Sequence, residues 1–175
     1  KGMKAWRRKV NDPLEEFLDN GSDILKDDRF LPLWSFQQHR HSNTYFHVCW
    51  VAFTALSLAK RLHIKVDVPS LVRAGLLHDY YGYDWHLTKP KGHGRRHPLL
   101  AADNAKRDFG TNEHERSIIS SHMWPIALHR VPRSREGWLI TLADKIVATK
   151  EVFSSDRFLE RKQQYFLSRI GVALS

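Results

Sequence analysis

Residues 46–59 read FHVCWVAFTALSLA, the longest apolar stretch of the chain. The stretch predicts a helix over residues 43–62, capped by Ser42, that is apolar nearly all round. A helix of this kind lies at the centre of a core, because every face of it has to be covered. It is shorter than the ~20 apolar residues that cross a bilayer, so we predict no membrane partner.

Prolines, glycines and capping residues divide the rest of the chain into further helices. Their predicted ranges are 13–20, 69–79, 98–109, 112–124, 135–153 and 156–170. A weak strand pattern covers 64–68, and the longest irregular stretch is 80–96, a length at which loops are often functional. We therefore predict an all-α domain spanning residues 1–175, a bundle of about six to eight helices. Its core is residues 37–153, with an N-terminal helical extension and a C-terminal amphipathic helix.

Composition places the chain among globular proteins. Its 175 residues suit one domain, and a hydrophobic fraction of 42% excludes a disordered chain. The one cysteine, Cys49, rules out a disulfide framework and suits a reducing compartment. Because the basic N-terminal residues also lack the apolar stretch of a signal peptide, we predict a cytoplasmic protein.

The charge balance points to an anionic partner. The chain carries 28 basic and 19 acidic residues, a net charge of +9, which attracts nucleic acid, an anionic membrane or a phosphorylated small molecule. Its 11 histidines prompt a search for a metal site. One basic cluster consists of His129, Arg130, Arg133 and Arg135, and its default interpretation is a solvated surface.

Four polar residues interrupt apolar helices. His47 lies in the central helix, His78 and Asp79 follow the buried-looking stretch AGLL, and Asp144 interrupts the apolar residues 139–148. A buried imidazole without a partner costs roughly 1–3 kcal/mol, and an unpaired buried carboxylate costs more. One metal ion would satisfy all four, although a hydrogen bond would suffice for His47 alone. Mixed nitrogen and oxygen ligands suit Mn, Fe, Co, Ni or Zn. We predict that Lys145 does not pair with Asp144, because adjacent helix positions diverge.

The order of these residues resembles the HD-domain superfamily of metal-dependent phosphohydrolases. The resemblance rests on His47, the motif AGLLHD that ends at Asp79, and the motif LADK that contains Asp144, within roughly residues 37–153. It implies a helical fold in which these side chains converge on a divalent metal. It also implies hydrolysis of a phosphate ester or anhydride, in a small phosphorylated metabolite or a nucleotide, by attack of metal-bound water.

Two further histidines resemble the ligands of dinuclear members of this superfamily. His97 precedes Pro98, and His122 lies near the end of the predicted fourth helix. The resemblance then implies two divalent ions, Fe, Mn, Co, Ni, Zn or Mg, with Asp79 bridging to a second ion held by His97 and His122. The alternative is that both are exposed histidines, which would leave a mononuclear nucleotidase.

Basic and aromatic residues surround the predicted ligands. Chain connectivity places the basic loop KPKGHGRR near the second ion, where its cations could bind phosphate; they are Lys89, Lys91, Arg95 and Arg96. A solvated basic loop is the alternative. Asp79 and Lys145 are the candidate catalytic residues. The aromatic residues that follow the His-Asp pair could stack on a nucleobase or fill the core; they are Tyr80, Tyr81, Tyr83 and Trp85.

Other substrates and functions stay open at this stage. Residues 80–83 replace the Ile-Gly-Lys of cyclic-dinucleotide phosphodiesterases, and the Glu-Asp pair of alarmone hydrolases does not follow Asp79. Similar helical sites hold two iron ions in inositol oxygenase-like enzymes. A non-enzymatic nucleic-acid-binding protein with a structural metal is the third alternative.

Overall fold

The computed structural model describes residues 12–38, 42–88 and 91–171. These ranges contain eight α-helices, one short 3-10 helix and no strand. The helices are α1 (Pro13–Leu25), the 3-10 helix (Leu31–Trp34), α2 (Thr44–Arg61), α3 (Val68–Leu77), α4 (Trp85–Thr88), α5 (His93–Phe109), α6 (Glu113–Ser121), α7 (Arg135–Phe153) and α8 (Asp156–Ile170). The predicted all-α bundle is confirmed. Within the described ranges, no helix has the length and apolarity needed to cross a bilayer.

Helix α2 is the central helix, as its sequence predicts. It packs against α1, α3, α7, α8 and the 3-10 helix, and most of its residues are buried. Its cap is Asn43 rather than Ser42, because the Asn43 side chain accepts a hydrogen bond from the Phe46 amide.

Helix α3 approaches α2 and α7 through Gly75. A Cβ atom at this position would lie 2.8 Å from Ala52 Cβ in α2 and 3.0 Å from Ile140 Cδ1 in α7. The absence of a side chain lets the three helices pack closely. The close packing brings His78 and Asp79, which follow α3, beside the polar residues of α2 and α7.

Three predicted helix boundaries are wrong. The helix predicted to reach residue 124 ends at Ser121, and the other two errors lie at residues that often mark helix ends. Helix α1 continues through Gly21, where a Cβ would lie 2.7 Å from Leu76 Cδ1, so this glycine serves close packing rather than termination. Helix α5 begins at His93 and contains Pro98 in its interior. The extra turn places His93 one turn before His97, whose ring donates to the His93 carbonyl. The stretch predicted to be irregular therefore contains α4 and the start of α5, and residues 64–68 form no strand.

We predict that Gly75→Ala destabilises the protein and that Gly94→Ala, in α5, does not. Overpacking at Gly75 costs about 1–3 kcal/mol, which lowers the Tm by roughly 3–10 °C in a chain of this size. A Cβ at Gly94 would meet its nearest side-chain atoms at 3.7 and 3.8 Å, which are ordinary contacts, so the better helix propensity of alanine should hold or raise the Tm. Thermal unfolding followed by circular dichroism measures both. Equal shifts in the two variants would contradict the role given to Gly75.

Candidate metal centre

Six buried side chains from five parts of the chain meet at one place. The structure brings together all the residues that the sequence predicts as metal ligands: His47 in α2, His78 and Asp79 after α3, His97 in α5, His122 after α6, and Asp144 in α7. The alternative interpretation, in which His97 and His122 are exposed histidines, is wrong, since only 5% and 1% of their surfaces are accessible.

One set of atoms surrounds a point between α2, α3 and α7. Asp144 Oδ1 lies 3.2 Å from His47 Nε2 and 3.8 Å from His78 Nε2. Asp79 Oδ2 lies 3.8 Å from His47 Nε2 and 3.7 Å from His78 Nε2. His47, His78 and Asp144 are close enough together to hold one metal ion.

A second set of atoms lies on the other side of Asp79. Asp79 Oδ1 is 3.2 Å from His97 Nε2 and 3.5 Å from His122 Nε2. The two Nε2 atoms are 3.0 Å apart. His78, Asp79 and His122 likewise form a group that could hold a metal ion. Asp79 thus offers one carboxylate oxygen to each set.

Backbone hydrogen bonds orient three of the imidazoles. In each ring Nδ1 donates to a carbonyl oxygen: His78 to Gly75 (2.8 Å), His97 to His93 (3.0 Å) and His122 to Ile119 (2.8 Å). Because a carbonyl can only accept, Nδ1 carries the proton and Nε2 presents its lone pair to the cluster. Within the described part of the chain, His78 Nε2 and Asp79 Oδ1 are buried without a hydrogen-bond partner. Buried lone pairs that converge in this way fit a metal cation.

Glu151 is a residue of the site that the sequence analysis misses. Its side chain is fully buried, and Oε2 accepts a hydrogen bond from His47 Nδ1 at 2.8 Å. This bond turns His47 Nε2 towards Asp144. The seven-residue spacing from Asp144 places Glu151 two turns further along the same face of α7, which is the signal that could have identified it.

Gln38 is the second missed residue. Its Nε2 donates to Asp79 Oδ2 at 2.7 Å, while its Oε1 accepts from the hydroxyls of Thr44 at 3.0 Å and Tyr81 at 3.2 Å. The two hydroxyls fix which end of the amide faces Asp79. Because Gln38 lies outside any helix, no periodic pattern marks it.

The buried groups also set the charges of the cluster. Burial opposes ionisation of Asp79, but His78, His122 and His97 hold its pKa well below the ordinary value. Burial likewise opposes ionisation of Asp144, whose pKa is held well below the ordinary value by His47 and His78. Both carboxylates are therefore ionised at neutral pH, the form in which carboxylates bind metals.

Burial disfavours a charge on His47, yet Glu151 and Asp144 raise its pKa well above the ordinary value. At His122 burial prevails and lowers the pKa. The two sides of the cluster therefore differ, with the stronger anionic field around His47.

The prediction that Lys145 does not pair with Asp144 is wrong. Lys145 Nζ lies 3.7 Å from Asp144 Oδ2 and donates to the His122 carbonyl at 3.1 Å. Adjacent Cβ atoms do diverge, but the long lysine stem carries the ammonium group back to its neighbour. Lys145 is thereby held at the edge of the cluster.

Two clefts open beside the cluster. The first, of about 290 Å³, is lined by Asp79, His97, His122, Asp144 and Lys145 together with Gln38, Trp85, His93, Gly94, Met123, Ile126 and Ala148. The second, of about 400 Å³, is lined by Tyr83, Thr88, Lys91, His93, Arg96 and Leu100. His93 belongs to both, and burial together with the nearby His97 lowers its pKa to about 4, so its ring is neutral.

The residues predicted to bind substrate separate into groups. Lys91 and Arg96 line the second cleft, whereas Arg95 lines neither cleft and Lys89 lies outside the described residues. Among the aromatic residues, Tyr83 and Trp85 are half-buried and line the clefts. Tyr80 and Tyr81 are buried in the core, where their hydroxyls donate to Asp108 and Gln38.

Comparison with known proteins gives one match. A model of the family described as HD domain matches residues 44–149, which include all six clustered side chains. Gln38 and Glu151 lie just outside this range. Neither the curated proteins nor the solved structures contain a significant match to the chain.

We predict that Glu151→Gln weakens metal binding while the protein stays folded. Glutamine can still accept the hydrogen bond from His47 but lacks the charge that makes this imidazole a better ligand, and loss of such a partner costs about 10–100-fold in metal affinity. Calorimetric titration with Mn²⁺ measures the change. Glu160→Gln, an exposed position in α8, is the matched control and should bind as the unaltered chain does. Equal affinities in all three proteins would contradict the role assigned to Glu151.

Proposed function

The chain belongs to the HD domain family, a family of metal-dependent phosphohydrolases, and on that basis we propose that it hydrolyses a phosphate ester or anhydride with two divalent ions. The substrate is a small phosphorylated metabolite or a nucleotide.

The division of Asp79 between two sets of imidazoles is the observation that carries the proposal. Oδ2 lies with His47 and His78, and Oδ1 lies with His97 and His122. A carboxylate in this position can bridge two cations, which a site for one ion does not require. We therefore assign His47, His78, Asp79 and Asp144 to one ion and Asp79, His97 and His122 to the other.

The donor set determines which ions are suitable. Imidazole nitrogens and carboxylate oxygens suit Fe, Mn, Co, Ni or Zn better than a purely oxygen-bound Mg. When bound, such a pair supplies a water of lowered pKa as nucleophile and positive charge opposite the phosphate oxygens.

The side chains around the clefts would bind the substrate. The ammonium group of Lys145, held by the His122 carbonyl and Asp144, lies where it can stabilise the charge that develops on phosphate oxygens. Lys91 and Arg96 would bind a more distant part of the substrate, since they line the neighbouring cleft. Trp85, whose ring lies 5.2 Å from that of His93 and 3.9 Å from that of His86, would add aromatic surface to the first cleft.

We predict about two ions per chain in the purified, metal-loaded protein. His97→Ala and His122→Ala should each reduce the content to about one, because each removes a ligand from the same set. Inductively coupled plasma mass spectrometry measures the stoichiometry. His129→Ala, which alters an exposed histidine away from the cluster, is the control and should leave it unchanged. A single ion in the unaltered chain would exclude the dinuclear site.

The test of hydrolysis is a screen of phosphorylated compounds with Mn, Fe, Co, Ni, Zn and Mg. We expect turnover of at least one compound, and we expect Lys145→Met to lower kcat on it by roughly 10²-fold without loss of metal, since it removes a cation from the cleft. Lys150→Met is the control, because this lysine lies on the same helix with its Nζ 5.9 Å from the centroid of the Trp50 ring. Phosphate release and metal content are measured on the same samples.

Two outcomes would overturn the proposal. Absence of turnover with every metal, combined with oxygen consumption by the iron-loaded chain, would assign the site to oxygenase chemistry. Absence of turnover combined with tight, salt-dependent nucleic-acid binding that survives Asp79→Ala in a folded protein would make the metal structural.

A further inference from the structure

A third cleft, lined by several basic residues, lies away from the metal centre. It measures about 300 Å³ and is formed by α6, the segment between α6 and α7, and Leu99 of α5. It shares no lining residue with either cleft beside the metal cluster. A volume of this size is at the lower end of the range for small-molecule sites.

Three arginines line this cleft, Arg116, Arg130 and Arg133. Arg116 is held by Asp103, whose Oδ1 lies 2.7 Å from its Nη2, and Arg130 is held by the Arg95 carbonyl, 3.0 Å from its Nη1. Both groups are therefore positioned with N–H donors to spare. The side chain of Arg133 makes no hydrogen bond or ion pair with the described residues.

The other lining residues suit a ligand with an anionic end and a less polar body. Ser117 offers an exposed hydroxyl, and Leu99 and Val131 provide apolar surface. Glu113 also contributes to the lining, but its carboxylate faces Lys106 Nζ at 4.0 Å and is largely exposed. The cleft is accordingly richer in donors and positive charge than in acceptors.

The structure places the members of the basic cluster at residues 129–135 in two different locations. His129, Arg130 and Arg133 line the cleft, whereas Arg135 Nη1 donates to the Lys65 carbonyl elsewhere. Arg116, which is distant in sequence, joins them. The cleft therefore combines part of the local run of basic residues with Arg116, which the packing of α6 against the following segment brings beside it.

We propose that this cleft binds the phosphate group of a small molecule at a site separate from the metal centre. Arginine is the side chain best suited to the task, because its planar fork matches the oxygens of phosphate. Two of the three forks are already oriented by other contacts, which reduces the entropy lost on binding. Ser121, which lines the cleft, directly precedes His122 of the metal cluster, so a ligand here contacts the same turn of chain as the metal centre.

The test is a titration of the full chain, with Mg²⁺ present, with inorganic phosphate as the probe. The amide NMR signals of residues 116–121 report occupancy of the cleft. We expect saturable shifts of these signals and an affinity about tenfold lower in Arg133→Gln, since one charge-assisted hydrogen bond is lost. Arg130→Gln/Arg133→Gln should bind more weakly still. Arg135→Gln, a matched arginine outside the cleft, should bind as the unaltered chain does.

Three results would overturn the proposal. The first is the absence of a saturable shift at residues 116–121. The second is an equal loss in Arg135→Gln and Arg133→Gln, which would indicate diffuse attraction to a basic surface. The third is a response of these signals to a single-stranded DNA oligonucleotide but not to phosphate, which would assign the cleft to nucleic acid. Because none of these measurements uses turnover, the phosphate-binding proposal can fail without affecting the hydrolase proposal, and the reverse also holds.

Discussion

The burial of charge around Asp79 is the constraint on which the rest of the structure depends. Three carboxylates, those of Asp79, Asp144 and Glu151, lie among four imidazoles with almost no access to water. Charges buried in this way destabilise a fold unless each finds a partner. The helices have to bring those partners from distant parts of the chain, so the packing of α2, α3, α5, α6 and α7 is tied to the geometry of the cluster.

Close helix packing and backbone hydrogen bonds together set that geometry. Gly75 lets the end of α3 approach α2 and α7, which positions the His-Asp pair. The rings of His78, His97 and His122 are then oriented by carbonyl oxygens of the preceding turn in each case. A metal site made this way is positioned by rigid helices, which is the arrangement that best preserves ligand geometry.

Six of the basic side chains line the three clefts described above. Lys145 lies at the edge of the cluster, Lys91 and Arg96 line the neighbouring cleft, and Arg116, Arg130 and Arg133 line a separate cleft formed in part by α6. The two proposed phosphate-binding regions would use six of the 28 basic residues of the chain. Under these proposals the metal centre would supply the chemistry, and the arginine cleft would provide a second point of phosphate recognition that adjoins it in the chain at Ser121 and His122.

The sequence by itself determined the helical class, the central position of α2, the limits of α7 and α8, and the six residues of the cluster. Apolar periodicity and misplaced polar residues are local signals, and they identify the helices together with His47, His78, Asp79 and Asp144. The other two residues of the cluster, His97 and His122, are identified only by their resemblance to ligands of dinuclear HD-domain proteins. Only the tertiary structure identified Gln38 and Glu151, placed Lys145 against Asp144, and showed that α5 begins at His93 rather than at Pro98. Glu151 shows the physical reason: its partner His47 is 104 residues away in the chain, and a hydrogen bond over that separation depends on how two helices pack rather than on any pattern within either.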